Sequence, residues 1–166
     1  MSVSSHPCWS LPVAQGTLLL TPCPGTQGVA LSESLSQLKA SGATAVITLM
    51  TEAELSHEGL QGFSSAVQAA GLDWFHLPVP DDDLPGADFD LAWHACGAEL
   101  LQRLQSGDTL ALHCKGGSGR TGLVAAKLML AAGYTAEDAI SAIQALRPKA
   151  FSHPAQRSYI LNSVNS

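Results

Sequence analysis

Charge is scarce in this chain, and no signal for a membrane or a nucleic acid replaces it. Only 13% of the 166 residues are charged and 5% are aromatic, while 46% are hydrophobic. Eight Lys and Arg stand against 14 Asp and Glu, a formal net charge of −6. There is no basic tract, so a polyanionic nucleic-acid or anionic-membrane surface is not expected as a partner. No run approaches the ~20 apolar residues that a membrane span needs. Residues 1–16 lack the basic start and continuous apolar stretch of a secretory signal, which makes the cytoplasm the expected location. The four cysteines (Cys8, Cys23, Cys96 and Cys114) have neither metal-ligand spacing nor a dense disulfide pattern. His57, His76, His94 and His153 likewise have no metal spacing, so no metal or organic cofactor is expected and core or surface roles are assigned to them.

What is present is one concentrated stretch, His113-Cys114-Lys115-Gly116-Gly117-Ser118-Gly119-Arg120-Thr121-Gly122. The strand-like run 109–112 enters it, and the almost wholly apolar helical run 123–132 leaves it. A strand, a glycine-rich turn and a helix N-terminus make an anion cradle, because successive N–H groups converge where the helix dipole is positive. An ATP-binding loop of the Walker kind needs Gly-Lys followed by Ser or Thr at its end, but here Gly119 is followed by Arg120. The thiolate is the nucleophilic form of cysteine, and positive potential favours it. Cys114 stands at the strand end, beside the helix N-terminus and six residues before an arginine. A planar guanidinium can bind two phosphoryl oxygens at once. The stretch therefore reads as a loop that holds a phosphate through residues 115–120 and attacks it through Cys114. The alternative is a buried, inert cysteine in a glycine-rich turn.

The rest of the chain alternates strands and helices. Strands are expected at 17–20, 44–50, 73–77 and 109–112, the second with the continuous apolar character of a parallel sheet. A helix with Leu31, Leu35 and Leu38 on one face ends at Gly42, and a weaker one spans 60–70. Asp88 is read as the N-cap of a helix reaching Gln105, with Leu91, Ala95, Ala98 and Leu101 inward. A helix from Thr135, with Asp138 as its capping partner, ends near Arg147-Pro148. Pro154 opens a last helix reaching about Val164. The expected fold class is α/β, a sandwich with a central, mostly parallel sheet of 4–5 strands flanked by helices. Residues 1–16 read as an irregular lead-in and 17–166 as one catalytic domain.

The loop HCKGGSGRTG resembles the signature of the cysteine-dependent protein tyrosine and dual-specificity phosphatases. Residues 21–25 (TPCPG), 51–55 (TEAEL) and 76–81 (HLPVPD) are similar, in order and spacing, to segments of the cyclin-dependent-kinase-associated phosphatases, over roughly residues 17–160. The resemblance implies a soluble phosphatase acting on phosphorylated proteins through a phosphocysteine, as a monomer and without stable membrane association. It implies Cys114 as nucleophile, Arg120 and the 115–120 amides as the phosphate site, and Asp81 as general acid. It further implies Thr121 in breakdown of the intermediate, His113 in ordering the loop and Gln156 in positioning water. Where the family continues with glycines, this chain has Asp82 and Asp83, and either could replace Asp81. Glu54 resembles a carboxylate of the family, although a cap or salt-bridge role suffices for it. No basic tyrosine-recognition segment is present, which favours a shallow site open to phosphoserine and phosphothreonine as well as phosphotyrosine. The loop also resembles that of the phosphoinositide 3-phosphatases at all but two places. Lys115 is shared with them, but Ser118 stands where they have a second lysine. A phosphoinositide or other non-protein phosphate is thus one alternative substrate, and a phosphate-binding adaptor without turnover is another.

Overall fold

The computed structural model describes residues 5–81 and 83–163. The elements run β1 (Trp9–Val13), β2 (Gly16–Thr21), α1 (Leu31–Ala40), β3 (Ala45–Thr48), α2 (Glu52–His57), α3 (Phe63–Ala69), β4 (Asp73–His76), α4 (Ala87–Gln105), β5 (Thr109–His113), α5 (Gly119–Ala131), α6 (Ala136–Leu146) and α7 (Pro154–Ser163). One five-stranded sheet has the order β1-β2-β5-β3-β4. Only the β1–β2 pair is antiparallel; β2–β5, β5–β3 and β3–β4 are parallel. This is the α/β class and strand count expected from the sequence.

The apolar strands explain the layering. Successive side chains of a strand point to opposite faces, so a strand apolar throughout serves two cores. Leu18, Leu20, Ala45, Ile47, Leu110 and Leu112 face one core, with Phe89 and Leu100 of α4, Leu123 and Val124 of α5 and Ile140 and Ile143 of α6. Leu19, Val46 and Ala111, the residues between them, face the other, with Leu35 and Leu38 of α1, Leu55 of α2 and Phe63 and Val67 of α3. Helix α5 runs through the first core with an almost continuously buried surface. Gly122 permits this closeness, since a Cβ there would lie 2.9 Å from that of Ala150.

Four local readings change. Residues 9–13, taken as part of an irregular lead-in, form β1, where Leu11 and Val13 are buried and the edge of β2 is paired. A helix, α2, precedes the expected one at 60–70, which is confined to α3. In α4 the inward face is Phe89, Gly97, Leu100 and Leu104, whereas Leu91, Ala95 and Ala98 are exposed. Asp88 lies inside the first turn of α4, whose N-cap is Gly86. The aromatic residues decide the rotation of α4. Phe89 is fully buried and stacks on Trp93, which a face centred on Leu91 would have exposed. Asp82 and Val164 lie outside the described residues.

Candidate active site

The site lies at the C-terminal ends of the parallel strands, where β5 gives way to the loop and α5. Cys114 follows the last residue of β5 and is 3% exposed. The loop curls tightly enough for the N–H of Gly117 to donate to Cys114 Sγ at 3.2 Å. Gly117 has φ +78°, and a Cβ there would sit 2.7 Å from Pro22 N, so the loop rests directly on the end of β2. The N–H of Cys23 donates to the Lys115 carbonyl at 3.0 Å, a second tie to the same segment. Helix α5 begins at Gly119, four residues earlier than its apolar run suggests. The first N–H groups of a helix have no partner inside it, which leaves positive ends at the loop.

Arg120 is 4% exposed and deeply held. Its Nη1 and Nη2 donate to the two carboxylate oxygens of Glu54 at 2.8 and 3.0 Å, and Nη1 also donates to the Val79 carbonyl at 2.8 Å. Asp81 Oδ1 lies 3.4 Å from Nη2. Glu54 does two things at once. It closes a capping box with Thr51 at the start of α2, and it forks onto Arg120. Burial alone would raise the Glu54 carboxyl, but the hydrogen bonds from Arg120 and Thr51 outweigh it and lower the pKa. Burial likewise opposes the Arg120 charge, and the bond to Glu54 with the neighbouring negative charges raises its pKa regardless. The guanidinium is permanently charged and fixed in direction.

Cys114, Arg120, Asp81, Asp83, Lys115, Gly116, Ser118, Gly119 and Gln156 line one cavity of about 220 Å³. All nine are residues that the sequence singles out. Gly117, His113 and Thr121 do not line it. Thr121 is fully buried, and its Oγ1 has no hydrogen-bond partner among the described residues.

His113 is fully buried and bonded through both ring nitrogens. Its Nδ1 lies 3.0 Å from the Cys114 carbonyl, which can only accept, so Nδ1 carries the proton. Nε2 is therefore the acceptor for the Thr48 hydroxyl at 2.8 Å, and Thr48 Oγ1 in turn receives the Trp74 indole N–H at 2.8 Å. The chain of donors Trp74, Thr48 and His113 ends on the backbone of Cys114. Burial pushes the imidazole down to about 4, the bond to Cys114 opposes this, and charge on His6, Arg120 and His76 adds to the lowering. His113 is neutral in this setting.

Two supports of the loop were not read from the sequence. Arg147 donates from Nε to the Gly117 carbonyl at 3.2 Å and from Nη2 to the Gly116 carbonyl at 2.9 Å. The peptide that joins Gly116 to Gly117 is thus held at both ends, its carbonyl by Arg147 and its N–H on Cys114 Sγ. The guanidinium stacks on Trp9 of β1, 3.9 Å from the ring centroid. In the sequence Arg147 registers only as the end of a helix before a proline. Lys115 is the other case: its Nζ lies 2.8 Å from Glu58 Oε1, a pairing that no motif announces.

Among the other thiols, Cys23 is fully buried and pushed up to about 12, first by burial and then by the charges of Glu58, Cys114 and Glu54. Burial also raises Cys8 and Cys96. None of the three lines the cavity. Among the described residues no three His, Cys, Asp or Glu side chains converge as metal ligands, and no helix is long and apolar enough to cross a membrane.

Comparison with known proteins agrees with this geometry. A cyclin-dependent kinase inhibitor 3 from Rattus norvegicus is 33% identical over 100 residues, 60% of this chain and 46% of that protein, so the match spans less than half of the relative. The crystal structure of kinase-associated phosphatase, with its catalytic-site cysteine replaced by serine, superposes with a TM-score of 0.86 over 99% of both chains at 23% identity. PTPMT1, also solved in complex with PI(5)P, superposes with a TM-score of 0.70 over 95% of each chain at 20% identity. These two likenesses are of fold. Residues 24–134 match the family model described as "Polymorphic toxin system, DSP-PTPase phosphatase". A family match over most of the chain, which takes in the cysteine-to-arginine loop 114–120, makes this protein a member of the DSP-PTPase phosphatases.

Proposed function

We propose that this chain hydrolyses phosphate monoesters on phosphoproteins, phosphotyrosine and also phosphoserine or phosphothreonine, through a phosphocysteine. The reading rests on the convergence of Cys114, Arg120 and Asp81 on one small cavity at the N-terminus of α5. The Cys114 thiolate attacks phosphorus; an S–P bond forms as the P–O bond to the leaving group breaks. Asp81, whose carboxyl is on an exposed loop at the cavity rim, gives its proton to the departing oxygen. Arg120 and the loop amides hold the equatorial oxygens as charge develops there. Water, oriented by Gln156 and deprotonated by Asp81, then attacks phosphorus and breaks the S–P bond, releasing inorganic phosphate. The buried Thr121 hydroxyl assists departure of the sulfur, and neutral His113 fixes the Cys114 peptide plane without acting as base.

A phosphoinositide reading draws support from Lys115 in the loop. Against it, the Lys115 ammonium is already paired with Glu58, with Glu54 and Asp81 nearby, so it adds little free positive charge for a polyphosphorylated head group. Phosphate release from matched phosphotyrosine and phosphothreonine peptides tests the proposal, with Cys114→Ser as the blank. Turnover of both is expected. Cleavage of an aryl phosphate with neither peptide cleaved would overturn the protein-substrate reading.

A further inference from the structure

The phosphate cavity opens into two arms of different chemistry. One is a groove of about 310 Å³ lined by Met50, Ala53, Glu54, His57, Glu58, Asp81 and Lys115. Its single ammonium is matched by Glu58, and two further carboxylates share the groove. A second anion entering there meets net negative charge. The other arm is a cavity of about 550 Å³ between the acid loop, the start of α5 and the segment leading into α7. It shares Asp83, Ser118, Gly119 and Gln156 with the phosphate cavity, so the two are continuous.

Three observations give this second arm its character. Lys149 is exposed on its wall, and among the described residues its ammonium forms no ion pair. The one carboxylate among the lining residues, Asp83, accepts the Leu84 N–H at 2.8 Å and forms no ion pair with Lys149. Ser118, Ser152, His153 and Gln156 add polar groups to the lining, and Arg157 follows in the first turns of α7. The wall is also held in place. Ala150 and Phe151 are buried, Phe151 with φ +60°, and Gln144 donates to the Ala150 carbonyl at 3.0 Å. At about 550 Å³ against about 220 Å³ for the phosphate cavity, the second arm lies within the ~300–1,000 Å³ of ligand sites.

We infer that the substrate is a phosphopeptide bearing a second anionic side chain within a few residues of the phosphoresidue, seated against Lys149 in the 149–156 arm. This rests on the protein-substrate reading above. An extended peptide advances ~3.3 Å per residue, so a carboxylate or second phosphate one to three residues away reaches the adjoining arm. Lys149 acts as a specificity residue. It touches the peptide and takes no part in the chemistry.

The test compares kcat/KM for phosphotyrosine peptides with two Glu, two Ala or two Lys, placed either before or after the phosphotyrosine, on the full chain. Glu on one side should raise kcat/KM about threefold over Ala, the scale of one exposed ion pair, and Lys there should lower it. In Lys149→Glu the preference on that side should invert, and in Lys149→Met it should vanish, with aryl phosphate turnover within about twofold of wild type. Glu58→Gln, which frees Lys115, should create a new tolerance for Glu on the other side. Equal turnover of all peptides, or a Glu preference unchanged in both Lys149 variants, would overturn the inference alone. Cleavage of an aryl phosphate or a soluble phosphoinositide but of no peptide would overturn the protein-substrate reading and the inference with it.

Discussion

Two arginines at opposite ends of the sheet have nearly the same partners and different work. Arg103, in the last turn of α4, reaches Asp73 and Asp108 at the N-terminal ends of β4 and β5, together with Glu99 one turn back, and lies over the Phe75 ring. Arg120 at the other end pairs with Glu54 and approaches Asp81. The side chain of Arg103 is 22% exposed and that of Arg120 5%. A guanidinium among carboxylates is therefore not what makes a site. The residues that line the surface around Arg103, Glu99, Gln102, Ser106, Gly107 and Asp108, include no thiol, and Arg103 fastens a helix to a sheet. Around Arg120 the carboxylate serves to aim a charge at a cavity where a thiol and a helix N-terminus already meet.

That contrast sets the scale of the expected effects. Arg120→Lys loses the fork and its fixed direction, and kcat/KM on an aryl phosphate should fall about 10³-fold. Arg103→Met should leave kcat/KM within twofold and lower Tm by ~2–4 °C, as expected for ~1 kcal/mol lost from half-exposed pairs in a chain of this size. A similar loss of turnover in both would erase the distinction.

Asp81→Asn sharpens it from the acid side. On a poor leaving group kcat should drop about 10²-fold, and on a highly activated aryl phosphate only a few-fold. Asp83→Asn should leave both rates nearly intact, since its carboxylate accepts the Leu84 N–H. A loss confined to Asp83→Asn would move the acid to that residue, and one confined to Asp82→Asn would assign it to Asp82.

The loop brace comes next. Arg147→Met removes two charge-assisted hydrogen bonds to loop carbonyls, and inorganic phosphate should inhibit about tenfold less well, with partial recovery in Arg147→Lys. An unchanged inhibition constant would show that the loop holds its shape without the brace.

Acid should distinguish the two ends by their stability. His113 is neutral when folded, with a pKa near 4 against 6.5 for the free side chain. Between those values the unfolded chain binds a proton that the folded chain refuses, so stability falls as pH drops through this window. Urea unfolding at pH 7.5 and pH 5 should differ by roughly 2 kcal/mol from this group, with His6, also lowered by burial, adding to it. His113→Gln should remove most of the slope. Glu54 contributes in the same direction but lower, its stabilisation being lost only as pH falls below the ordinary glutamate range.

The loop was legible in the sequence because its requirements are local. A thiol at a strand end, glycines for a tight curl and an arginine at the helix start are contiguous, and the structure places them in one cavity. The buried strands were equally legible, since continuous apolar runs mean burial on both faces whatever the topology. What the sequence withheld depends on partners far along the chain. Glu54 is 66 residues from Arg120 and Arg147 is 30 from Gly117. Nothing near Glu54 distinguishes a helix cap from an arginine clamp, and it is both. Strand β1 was missed because Pro12 and the surrounding Ser and Gly read as loop. A proline is tolerated there because β1 is an edge strand. The alanines and leucines of helix α4 make more than one plausible inward face, and burial of Phe89 chooses between them.

The proposed mechanism puts the phosphoryl group on Cys114 between its two steps. Acid-quenching the enzyme during turnover of a phosphotyrosine peptide, followed by mass mapping, should find one phosphoryl group on the peptide containing Cys114. The signal should grow in Thr121→Ala, where breakdown is slowed, and disappear with turnover in Cys114→Ser. Phosphate release undiminished in Cys114→Ser, or label on another residue, would contradict the account.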